Sequence, residues 1–404
     1  MPQVLAMPAD DENYPSPSTL AVWGGEDRPF QDGSITPPIV MSAPFAHPDM
    51  DSWRAVSAGH IEGLTYSRSR NPTVGIFEEK CRLLERGEHA IAFASGMAAI
   101  TNSLSALLTP GDRVVTISDL YGGTGRFLLE YLEQTGITVD FVDAGDGGAL
   151  QRSMEPGCRL VYAETPTNPT MKISDLRAMA AAAKQAGALT LVDNTLASPI
   201  NQRPLDLGID LVVHSATKYL SGHDDVLGGV LVGERSLVDT VYRYREIHGA
   251  CLAPHSAYLL LRGMKTLSLR MERHNSNALG IARWLHTRPE VAGVFYPGLP
   301  EHPGHDVACQ QMQGFGGVLS FSLHGDRTLQ DRFVNALRYA HRASSIGSVS
   351  TLVGPPETTS HQECSTEQRQ ALGIPSQLLR YSTGIEDLPD LLADIEQALA
   401  AAGA

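Results

Sequence analysis

Residues 189–229 read LTLVDNTLASPINQRPLDLGIDLVVHSATKYLSGHDDVLGG. Two short apolar runs, Leu189–Val192 and Leu211–Val213, are rich in β-branched residues. They read as interior strands of a parallel sheet. The first leads into Asp193, Asn194 and Thr195, the second into His214, Ser215, Thr217 and Lys218. In open α/β sheets ligands sit beyond the carboxyl ends of the strands. An acid at one strand end and hydroxyls with a lysine at the next suit a cofactor with a protonatable ring nitrogen, a phosphate and an aldehyde. Pyridoxal phosphate (PLP) fits that description. Taken alone, each residue has a plainer reading. A lysine after a strand is commonly a solvated loop residue, and an acid there is commonly a helix N-cap.

Working outward, the same alternation repeats. AIAFASGMAAITNSLSALL (90–108) gives a short strand, Ser95-Gly96-Met97 at the junction, and a helix. The free N–H groups at such a helix start form a natural phosphate site, or simply a serine-capped turn. RVVTIS (113–118), ITVDFVD (137–143) and CRLVYAE (158–164) read as further strands, and GRFLLEYLEQ (125–134) as a helix. SDLRAMAAAAKQAG (174–187) reads as a helix with Ser174 as N-cap and Gly187 past its end. Strands alternating with helices over this length predict a doubly wound, mainly parallel α/β sheet. After the strand VLVG (230–233), long helical segments lead to a smaller α+β region. There VAGVFYPG (291–298), GGVLSFSL (316–323) and ALRYAHRASSI (336–346) alternate with helices, and residues 385–403 form an amphipathic terminal helix. The expected division is an extended arm over 1–65, a cofactor-binding domain over 66–265 and a C-terminal domain over 266–404. The arm is rich in Pro and Gly, lacks periodicity, and is expected to lie across a neighbouring subunit.

The chain has 404 residues, 42% of them hydrophobic, enough for large cores. Its net charge of −14 argues against nucleic acid or an anionic membrane as partner. Five scattered cysteines without paired spacing point to reduced thiols in the cytoplasm, with neither disulfides nor a metal site. No apolar run is long enough to span a membrane.

A set of strings carries a resemblance that these patterns do not. YSRSRNPT (66–73), ASGMAAI (94–100), DLYGGT (119–124), ETPTNP (164–169), VDNT (192–195), DLVVHSATKYLSGHDDVLGG (210–229), LLLRGMKTLSLRMERH (259–274), YPGLPEHPGH (296–305), GFGGVLSF (314–321) and LLRYSTGIEDLPDL (378–391) follow one another in this order. The chain resembles the Cys/Met-metabolism (trans-sulfuration) family of PLP-dependent enzymes, among them methionine γ-lyase, cystathionine γ-lyase and cystathionine γ-synthase. The resemblance implies an aspartate-aminotransferase-like (PLP fold type I) α/β chain. It also implies a homotetramer, a dimer of dimers, with active sites shared between subunits. Lys218 matches the Schiff-base lysine and proton carrier, and Asp193 the acid that keeps the pyridine nitrogen protonated. Gly96 and Met97 match backbone donors to the phosphate, and Ser215 and Thr217 hydroxyl donors to it. Tyr66 and Arg68 match residues reaching the phosphate from the adjacent subunit. Tyr121 matches the ring stacked over the cofactor, whose phenol serves as acid or base toward the departing group. Arg380 matches the arginine that pairs with the substrate carboxylate, and Ser345 and Asn168 its polar neighbours.

Departures from the family pattern bear on the substrate. Ser344 stands where synthases and γ-lyases of cystathionine carry glutamate, so a partner for a distal amino group is missing. No Trp occupies position 345 or 346, which disfavours a cystathionine β-lyase. Gly123 stands where methionine γ-lyases carry cysteine, while Arg245-Glu246 keeps their charge pattern. The segment 349–364 departs widely and retains His361. The expected reaction is elimination at the γ carbon of a sulfur-containing or activated homoserine amino acid, giving a 2-oxo acid, ammonia and the leaving group. The alternatives are γ-replacement by a synthase or sulfhydrylase and, behind it, β C–S cleavage.

Overall fold

The computed structural model describes residues 14–403 except 27–29, 31–32, 145, 147, 155–156, 363 and 372. Part of the predicted arm therefore lies outside the described residues. Strands β1 (His89–Phe93), β2 (Arg113–Ile117), β3 (Thr138–Val142), β4 (Cys158–Glu164), β5 (Leu189–Asp193), β6 (Leu211–Ser215) and β7 (Gly229–Gly233) form one sheet. Their spatial order is β1-β7-β6-β5-β4-β2-β3. The five strands from β3 to β6 are parallel, as the apolar runs predict, and β7 is antiparallel to both β6 and β1. The segment 216–228 folds into turns around Lys218 instead of a crossover helix, so β7 comes back antiparallel.

Strands β4, β5 and β6 are buried along almost their whole length because helices cover both faces of the sheet. The helix Pro72–Glu85 shows how sequence sets such an element. Asn71 Oδ1 accepts from the amide of Thr73 at 3.0 Å, proline occupies the first turn, and Val74, Phe77, Cys81 and Leu84 turn inward. The helix after β4 starts one residue later than predicted. It spans Leu176–Ala186, and the Asp175 carboxylate, not Ser174, caps the Ala178 amide at 2.9 Å. The Ser174 hydroxyl is buried instead.

A second sheet comprises β8 (Val291–Phe295), β9 (Val318–Leu323), β10 (His341–Arg342), β11 (Leu352–Gly354) and β12 (Leu378–Ser382), in the order β10-β11-β12-β9-β8. The predicted strand over 336–346 shrinks to the two residues of β10, because Ala336 still closes the helix Arg327–Ala336 and residues 343–350 form an irregular loop. The helix Leu388–Ala402 buries Leu391, Ile395, Ala398, Leu399 and Ala402, a helical stripe packed on this sheet. Burying one such leucine or isoleucine is worth roughly 1.5–3 kcal/mol.

Candidate active site

The carboxyl ends of β4, β5 and β6 open into one cavity of about 1080 Å³. Glu164, Asp193 and Ser215 are the last residues of these strands. Side chains alternate across a sheet, so neighbours in sequence part company here. Asp193 and Ser215 line the cavity. Asn194 and His214 face away and converge on Glu85, with His214 Nε2 at 2.6 Å and Asn194 Nδ2 at 2.9 Å from its Oε1.

The predicted residues Gly96, Met97, Tyr121, Asn168, Asp193, Ser215, Thr217, Lys218, Ser345 and Arg380 all line this cavity. Tyr66 and Arg68 do not; the Arg68 guanidinium lies 5.1 Å from the centre of the Tyr66 ring. Arg245, singled out with Glu246, is buried elsewhere. It donates to Ala92 O at 2.7 Å and Ser69 O at 3.0 Å and pairs with Glu78 Oε1 at 3.3 Å.

One wall suits a phosphate. The helix Gly96–Leu107 begins at the cavity, with Ser95 Oγ accepting from the Ala98 amide at 3.1 Å. The Gly96 and Met97 amides open this first turn, where a helix offers N–H groups with no internal partner. A Cβ at position 96 would stand 2.6 Å from Ser215 Cβ and 2.7 Å from its Oγ. Glycine thus permits a cradle that a side chain would close. Thr217 Oγ1 engages Gly228, accepting its amide at 3.1 Å, so its hydroxyl partly serves the turn that carries Lys218.

Across the cavity the charged groups are arranged in pairs. Lys218 Nζ donates to Ser345 Oγ at 2.9 Å, and Arg380 Nη2 donates to Ser345 O at 2.9 Å. Arg380 Nη1 also lies 3.4 Å from Asn168 Oδ1. Ser345 holds both cations from a backbone with φ of 143°, a conformation that a residue with a side chain rarely adopts. Burial, reinforced by the Arg380 charge, lowers the Lys218 ammonium to about 8. Burial also lowers Arg380 to about 10, and only 5% of its surface is exposed. Among the described residues no carboxylate forms an ion pair with either cation.

The acids sit on the floor. Asp193 accepts from the Thr195 amide at 2.9 Å, and burial raises its pKa. Glu164 is its register partner on β4 and is 3% exposed. Burial and the Asp193 charge push Glu164 well above the usual carboxylate range. Glu164 accepts the Tyr121 amide with both oxygens, at 3.1 and 3.0 Å, and lies 3.3 Å from the Tyr162 hydroxyl. In the sequence Glu164 opens the string ETPTNP at the end of an apolar run, and that strand-end position is the signal that marks it. The Tyr121 ring is 43% exposed, and the Gly122 amide after it is tied to Ser360 O at 3.1 Å.

The arrangement fits PLP on its own terms: an anion cradle at a helix start, a buried acid wanting a cation, and a lysine whose ammonium burial lowers to about 8. Comparison with known proteins agrees. The Cys/Met metabolism PLP-dependent enzyme family matches residues 18–400. The L-methionine γ-lyase of Pseudomonas putida is 43% identical over 389 residues, covering 96% of this chain and 98% of that protein. The cystathionine γ-lyase of Bacillus subtilis (strain 168) is 42% identical, over 94% and 98% of the two chains. Among solved structures, cystathionine γ-synthase of Xanthomonas oryzae pv. oryzae with aminoacrylate and cysteine superposes with a TM-score of 0.92 at 39% identity. It covers 96% of this chain and 99% of that one. The fold is therefore the type I fold of PLP enzymes.

Proposed function

Because the chain belongs to the Cys/Met-metabolism family of PLP-dependent enzymes, we propose that it eliminates the γ-substituent of a sulfur-containing or activated homoserine amino acid. The products are a 2-oxo acid, ammonia and the leaving group. The reading rests on one juxtaposition: Ser345 bridges the Lys218 amine and the Arg380 guanidinium, each at 2.9 Å, in the cavity that Tyr121 also lines. PLP, when bound, supplies an electron sink that makes the substrate Cα–H acidic. Gly96, Met97, Ser215 and Thr217 would hold its phosphate, and Asp193 its ring nitrogen.

Arg380 offers a planar fork to the substrate carboxylate, and an arriving anion would relieve its unpaired burial. This contact orients the substrate with Cα toward Lys218. Lys218, whose ammonium burial lowers to about 8, would take the proton from Cα, release it, and, neutral again, take one from Cβ. Tyr121, held through its amide by Glu164, stands to donate a proton to the group leaving Cγ. Tyr66 and Arg68, outside their own chain's cavity, would complete a neighbouring subunit's site in a homotetramer working in the cytoplasm. Among the described residues no helix is long and apolar enough to cross a membrane.

A second reading, γ-replacement, is favoured by the close match to the Xanthomonas synthase. It shares the steps up to departure of the γ-substituent and differs in whether a thiol or water follows. The test is product analysis with methionine, cystathionine, O-acetylhomoserine and O-succinylhomoserine, each with and without thiol. 2-Oxobutanoate without thiol supports elimination. A thiol-dependent amino acid with no 2-oxo acid establishes replacement, and pyruvate alone would overturn both.

A further inference from the structure

Asn194 sits in the middle of the turn that carries Asp193. Asp193 Oδ1 accepts the Thr195 amide at 2.9 Å, which closes the turn on the Asp193 carboxylate and fixes its rotation. The Asn194 amide donates to Val213 O at 3.0 Å, and Thr195 Oγ1 accepts the Ser215 amide at 2.8 Å, so the turn is laced to β6. Asp193 lines the cavity, whereas the Asn194 side chain points away from it and is fully engaged. Its Nδ2 donates to Glu85 Oε1 at 2.9 Å and to Gln202 O at 2.8 Å, and its Oδ1 accepts from Gln202 Nε2 at 3.0 Å. A flipped amide would turn its oxygen toward a carboxylate and a carbonyl, so one orientation survives.

The gripping residues are themselves fixed. Gln202 Oε1 accepts from Gln311 Nε2 at 3.1 Å, and Gln311 Oε1 accepts the Leu176 amide at 3.2 Å. Glu85 Oε1 also meets His214 Nε2 at 2.6 Å. Glu85 is 1% exposed and is the last residue of the helix Pro72–Glu85. Burying a carboxylate costs stability, and so does a negative charge at a helix C-terminus. A residue placed against both is better explained by what it holds than by the stability it adds.

We propose that Asn194, gripped by Glu85 and Gln202, is a positioning residue for Asp193: it holds the turn so that the carboxylate meets the ring nitrogen of the cofactor. This rests on the reading of Asp193 as that nitrogen's partner. Neither Asn194 nor Glu85 lines the cavity, so both act through the turn.

The test compares two ligands on the full chain freed of cofactor: PLP, and its analogue with a C–H in place of the ring nitrogen. Both carry the phosphate and the aldehyde, so the ratio of their affinities, measured by titration calorimetry, isolates the nitrogen contact. The parent should prefer PLP by about 10- to 100-fold, the worth of a charge-assisted hydrogen bond. Asn194→Leu should bring the ratio to within about threefold of one by weakening PLP while the analogue's affinity holds. Glu85→Gln, which keeps an oxygen acceptor for Asn194, should retain most of the preference, and a loss there as complete as in Asn194→Leu would count against the grip. Should Asn194→Leu fail to fold, Gln202→Leu, which removes the donor to Asn194 Oδ1, carries the test, with a partial loss of the preference expected. A parent ratio near one overturns the reading of Asp193 and this proposal with it. A preference unchanged in the variant that folds, or an equal weakening of both ligands, overturns the positioning role alone.

Discussion

Gly96→Ala tests whether the helix start beside Ser215 is the cofactor's phosphate site. The added methyl would lie 2.6 Å from Ser215 Cβ, 2.7 Å from its Oγ and 2.9 Å from its Cα. Carbon atoms rest comfortably at about 3.5–4.0 Å, so the two elements must part by roughly 1 Å. Ser215 cannot yield alone: its amide is held by Thr195 Oγ1 at 2.8 Å, and its strand is paired with β7. The helix start must therefore move. Overpacking of this kind costs about 1–3 kcal/mol, partly offset by up to about 1 kcal/mol from replacing a helical glycine. Stability should fall only modestly. Cofactor affinity should fall more, because the Gly96 and Met97 amides and the Ser215 hydroxyl lose their common focus. Losing one or two charge-assisted hydrogen bonds weakens PLP by about 10- to 100-fold. The assay is titration of apoprotein with PLP, followed by its visible absorbance, with urea unfolding of the apo forms alongside. Gly75→Ala is the control, since its Cβ would meet nothing within 4 Å. PLP affinity within about twofold of the parent in Gly96→Ala would refute the assignment.

Arg380→Ala should raise KM by about 10- to 100-fold, from loss of a buried charged fork, and change PLP affinity far less; equal losses in both would reassign the residue. Glu164→Ala removes the acceptor of the Tyr121 amide and should lower kcat/KM by about tenfold or more while PLP affinity holds within about threefold. Glu164→Gln, keeping one oxygen acceptor, should recover part of that loss, and no rescue would argue against a positioning role. In the apoprotein the Lys218 amine titrates at about 8 rather than 10.5, so PLP reconstitution should accelerate as pH rises from 7 to 9. A flat rate profile would contradict the shift. The same group has a folded pKa below its unfolded one, so it should stabilise the apoprotein as pH rises from about 8 toward 10.5, and Lys218→Met should abolish that slope.

Much of this was legible in the linear chain because strand ends are local features. The runs before Glu164, Asp193 and Ser215 are apolar and β-branched, and the polar residues after them had to emerge at one edge of the sheet. Asp193, Ser215 and Lys218 could therefore be grouped before any coordinates, as could the helix start at Ser95-Gly96-Met97. The Ser174 cap failed because serine and aspartate are adjacent and both cap well; the choice between them belongs to the backbone of the preceding turn. The strand expected over 336–346 failed because apolar alternation says nothing about where a preceding helix stops.

Other features belong to tertiary structure alone. Period-two alternation divides Asp193 from Asn194 and Ser215 from His214, but only packing shows which face meets the cavity and which meets Glu85. Ser345, far from Lys218 in sequence, reaches it only because the loop after β10 lies against the Lys218 turn, where the Val349 amide donates to Gly222 O at 2.9 Å. The Glu164–Asp193 pairing comes from strand register. The sequence by itself determined the cofactor chemistry, since a strand end fixes which residue types face a bound ring and phosphate. The grouping of Arg380, Ser345 and Lys218 needed the folded chain, because β12 and the loop after β10 meet the Lys218 turn only in the tertiary structure.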